Sequence, residues 1–196
     1  MTDIYVRFLD EHSDECIQQV NQLFLAKKEE LKEELLDMIK ICASPLPPHY
    51  EWEPDPCDPP WDHSGRLAEC GTVSPELTIT EFLDNEYTGP FRKRATFCSG
   101  CGWHYETWGD EISGDTLNLG HEVMLEGIRV MLEKAFGQKI TEDELHAVEE
   151  ERSFDDIFDE CPASDFFSAT GAAEFAGIAD LTLSDLLFRE KPHMIQ

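Results

Sequence analysis

Between Ser13 and Cys42 apolar residues return at steps of three and four: Cys16, Val20, Leu23, Leu31, Leu35, Met38 and Cys42, interrupted where Lys27 stands. A step of 3.6 residues puts these side chains on one stripe of a helix, and such a stripe has to be buried. Ser13 is placed to cap that helix. A core or helix-pairing face is the plain reading, and it commits the first quarter of the chain to helical packing. The short apolar segment before it (Ile4, Tyr5, Val6, Phe8 and Leu9) fits either a strand or a helical turn.

The segment after Cys42 cannot continue the helix. Ser44-Pro45-Leu46-Pro47-Pro48 ends it, and Pro54, Pro56, Pro59, Pro60 and Pro75 keep the next stretch irregular or extended. Trp52 and Trp61 lie within that stretch, and two large aromatic residues are expected to pack on the domain. Leu77–Leu83, with Thr78-Ile79-Thr80, and Phe91–Trp108 have the β-branched and aromatic content of strands. In this reading Cys98-Ser99-Gly100-Cys101-Gly102 forms a hairpin tip.

Helical periodicity returns from about Leu117 to Phe136, with Gly137 as its stop. Thr141-Glu142-Asp143-Glu144 reads as a capping box that opens another helix. Shorter helices are expected over 153–160, 164–177 and 183–190. The expected class is α+β: helix-dominated, with a small antiparallel sheet and a zinc-knuckle hairpin. A single domain is expected over 1–196. It divides into a long N-terminal helix region (1–43), a Pro/Trp-rich segment with the knuckle hairpin (44–110) and an acidic helical region (111–196).

Cys98-x-x-Cys101, with glycine at 100 and 102, resembles a zinc-ribbon knuckle over about five residues. Two intervening residues let a tight turn aim both sulfurs at one ion. Structural zinc takes four ligands, and Cys70 and Cys57 are the nearest supply, giving C-x12-C-x27-C-x2-C. The expected cofactor is therefore a structural Zn²⁺ on Cys57, Cys70, Cys98 and Cys101, with His63 or His104 as alternative ligands. Cys16 and Cys42 fall in the apolar helix pattern, and Cys161-Pro162 reads as structural.

No catalytic motif is complete. His121-Glu122 lacks the second histidine of a zinc protease, because Leu125 stands there, and no phosphate-binding glycine loop or nucleophile elbow is present. No catalytic role is expected; an open zinc site using His104 is the enzymatic alternative.

Charge excludes more than the motifs do. With 42 Asp+Glu against 15 Lys+Arg the chain carries −27, a field that repels nucleic acids and anionic lipid and draws in basic proteins. No stretch approaches the ~20 apolar residues that span a bilayer, and no export signal is visible, so a reducing, cytoplasmic setting is expected. The acid is clustered: eleven carboxylates lie between Glu142 and Asp165 against Arg152 alone. A second group, Glu51, Glu53, Asp55, Asp58 and Asp62, accompanies the two tryptophans. The expected partner-binding residues are Trp52, Trp61, Glu149, Glu150, Asp155, Asp156, Asp159 and Glu160. The expected function is an acidic inhibitor, of the immunity or antitoxin type, that covers a basic partner such as a nuclease toxin. A phage-type nucleic-acid mimic, and a zinc hydrolase or zinc-stabilised assembly module, are the alternatives.

Overall fold

A computed structural model describes residues 2–42, 76–84 and 108–187, together with the backbone of three short segments at 63–65, 94–98 and 102–106. The N-terminal stripe forms three consecutive helices: α1 (Thr2–Glu11), α2 (Ser13–Ala26) and α3 (Lys28–Cys42). The single long helix expected from Ser13 breaks at Lys27, where the apolar pattern also breaks; the Lys27 amide still donates to Leu23 at 2.9 Å. The segment around Tyr5 is helix, and Tyr5 and Leu9 point into the core.

The α+β class is corrected. Among the residues whose packing is described, 82% are helical and 2% strand, with no sheet. The core there is helix on helix, so the small sheet and knuckle hairpin do not organise the fold. Of the backbone segments β1 (His63–Gly65), β2 (Arg94–Cys98) and β3 (Gly102–Glu106), β2 lies between the other two and runs antiparallel to each.

Residues 77–83, read as a strand, begin instead with a helix cap. Helix α4 spans Ile79–Asp84. The Thr78 amide donates to the Glu81 carboxylate at 2.8 Å, and the Glu81 amide donates back to the Thr78 hydroxyl at 3.1 Å. The Thr78 amide and, at 3.0 Å, the Thr78 hydroxyl both donate to that carboxylate and hold Glu81 below its ordinary pKa, since they favour the charged form. β-branched content competed here with a Thr-x-x-Glu signal, and the cap prevailed.

The body is built around α5 (Trp108–Phe136), 29 residues and so about 43 Å long. Beyond it come α6 (Glu142–Glu151), α7 (Asp155–Asp159), a 3-10 turn at Pro162–Phe167, α8 (Ala169–Phe175) and α9 (Leu183–Leu187). The expected capping box is present: Glu144 N–H donates to Thr141, and the Thr141 amide donates to the Glu144 carboxylate at 2.9 Å. Thr182 and Asp185 repeat the arrangement at the start of α9.

Two glycines let neighbours reach the α5 backbone. A Cβ at Gly120 would sit 2.6 Å from Phe166 Cβ, and one at Gly127 would sit 2.8 Å from Val20 Cγ2. Phe166 and Val20 are fully buried there. Phe24, Phe166 and Phe175 continue the apolar packing, with ring centroids 5.4 to 5.8 Å apart. The C-terminal segment closes on α4: the Ile79 amide donates to Leu181 and the Leu183 amide to Leu77, each at 2.8 Å. No helix among the described residues is long and apolar enough to cross a membrane.

Candidate interaction surface

Helices α6 and α7 carry most of the C-terminal acid, and the packing divides their carboxylates into two kinds. Val148 and Leu145 anchor α6, and Ile157 anchors α7, leaving the acidic positions on the outside. Some of these are occupied. Arg152, 12% exposed, donates from Nε to Asp10 at 2.6 Å and from Nη2 to Asp156 at 2.7 Å, and Ser13 also donates to Asp156. The guanidinium thus ties α1 to the α6–α7 corner, and the Asp156 carboxylate joins the start of α2 to it. Burial works against the charge of both residues, but the ion pairs outweigh it: Asp156 is held below the ordinary carboxylate range and Arg152 above its usual value.

Glu149 is occupied too. Its carboxylate meets His121 Nε2 on α5 at 2.8 Å and His146 Nδ1 on its own helix at 3.4 Å. Of the expected partner-binding residues, then, Glu149 and Asp156 serve internal contacts.

Glu150, Asp155, Asp159 and Glu160 are exposed, and their side chains pair with no cation among the described residues. The placement of three of them, all but Asp155 at the start of α7, runs against the local field. The last turns of α6 and α7 hold no basic residue. Glu150 therefore sits in a C-terminal turn, as do Asp159 and the α7 cap Glu160, where the unpaired helix carbonyls disfavour negative charge. Arg152, the C-cap of α6, offsets part of this while turned toward Asp10 and Asp156.

Between α5 and α6 the surface opens into a groove of about 570 Å³, lined by Glu122, Leu125, Arg129, Glu142, Leu145 and His146 among others. Leu145 is buried at its base, and Glu122, Glu142 and His146 are exposed at its edge.

Trp52, Trp61, Cys57, Cys70 and Cys101 lie outside the described residues, and Cys98 falls at the end of β2, where the backbone alone is described. Among the described residues no group of three or more His, Cys, Asp or Glu is arranged to hold a metal ion. Cys16, as the apolar helix pattern indicated, and Cys161 are buried free thiols. Burial pushes Cys16 up to about 12 and Cys161 up to about 11, which favours the neutral thiol in both.

Sequence reasoning missed Asp10 and His121 as partners of the acidic region. Asp10 lies 142 positions from Arg152, and His121 lies 28 positions from Glu149. The isolation of Arg152 among eleven carboxylates was the one available signal that it serves as a hub.

The chain matches no known family model, and no curated protein or solved structure resembles it at a significant level.

Proposed function

We propose that this protein is a cytoplasmic acidic inhibitor, of the immunity or antitoxin type, that covers a basic protein partner such as a nuclease toxin. The observation that carries the reading is the set Glu150, Asp155, Asp159 and Glu160: exposed carboxylates, three of them on helix ends that disfavour them, with no described cation beside them. Stability alone favours lysine or arginine in those last turns. A cationic partner relieves the repulsion on binding, and a net charge of −27 accelerates the encounter. A basic nuclease fits this chemistry because its own substrate is polyanionic.

The test replaces Glu150, Asp155, Asp159 and Glu160 together by lysine. The purified chain is used to capture its partner from native lysate, and association is then followed at low and high salt. The expected partner is basic. Its association with the wild-type chain slows as salt rises, and the charge-reversed chain associates at least about tenfold more slowly at low salt. Equal association rates for the two chains would remove the surface from the account. Competition for the captured partner by duplex DNA would point to the nucleic-acid mimic instead.

A further inference from the structure

We draw no further inference here: the strongest candidate, the side-chain cluster of His121, Glu149 and His146 that joins α5 to α6, is an internal contact whose members already engage one another, and nothing among the described residues marks a ligand, metal ion or partner for it.

Discussion

Toward α2 and the 162–167 turn, α5 presents glycines; toward α6 it presents histidine, glutamate and an open groove. The first interface is dry and closed, with Phe166 and Val20 pressed against the helix backbone at Gly120 and Gly127. The second is held by His121 and Glu149 and leaves about 570 Å³ of accessible space. One helix therefore serves two purposes. Its glycine side gains cohesion from close packing, where a single extra carbon matters. Its polar side, joined by a partly exposed ion pair, contributes less to stability.

Gly120→Ala should break the contrast most sharply. The added methyl gains up to about 1 kcal/mol of helix propensity but collides with Phe166 Cβ, an atom that cannot move without its backbone. A net loss of about 2 kcal/mol is expected in urea unfolding. Gly114→Ala on the same helix meets nothing within 4 Å and should instead gain up to about 1 kcal/mol. Losses of similar size at both glycines would show that the close approach at Gly120 is not what sets the cost.

The polar corner should respond less. Arg152→Met leaves Asp10 and Asp156 without their shared guanidinium and is expected to cost about 1–2 kcal/mol at neutral pH, discounted because both carboxylates are half exposed. The folded-state pKa of Asp156 is depressed, so its contribution is present above the ordinary carboxylate range and is lost as pH falls through the lowered value. Unfolding curves of variant and wild type should therefore converge in acid; a constant gap down to pH 2 would assign the loss to packing of the arginine stem.

Glu151→Gln should act least, and in the opposite direction. A hydrogen bond with Asp3 raises the Glu151 pKa, because two neighbouring carboxylates share a proton more readily than they both ionise. The protonated pair is favoured below that raised value, and the contact is lost as pH rises through it. The variant should be slightly more stable than wild type near neutrality and equal to it in acid, as read from thermal midpoints.

Individual elements show why parts of this were legible. The 141–144 box was readable because all its partners lie within four residues. Thr78-Ile79-Thr80-Glu81 carries the same signal, but its β-branched composition points equally to a strand, and only the Thr78–Glu81 hydrogen bonds decide for a helix start. The acidic surface was half legible. Composition located it, but composition does not distinguish Asp156, locked to Arg152, from Asp155, which is exposed beside it.

From the sequence alone came the helical periodicity, the capping boxes, the burial of Cys16 and the clustering of negative charge, since each depends on neighbours within a few residues or on simple counts. Tertiary structure alone decided that α5 is the central helix, that Arg152 joins Asp10 to Asp156, and that α5 and α6 enclose a groove. The physical reason is distance along the chain. A local signal fixes the backbone, whereas contacts between residues far apart in sequence depend on how whole faces pack, and no short segment carries that information.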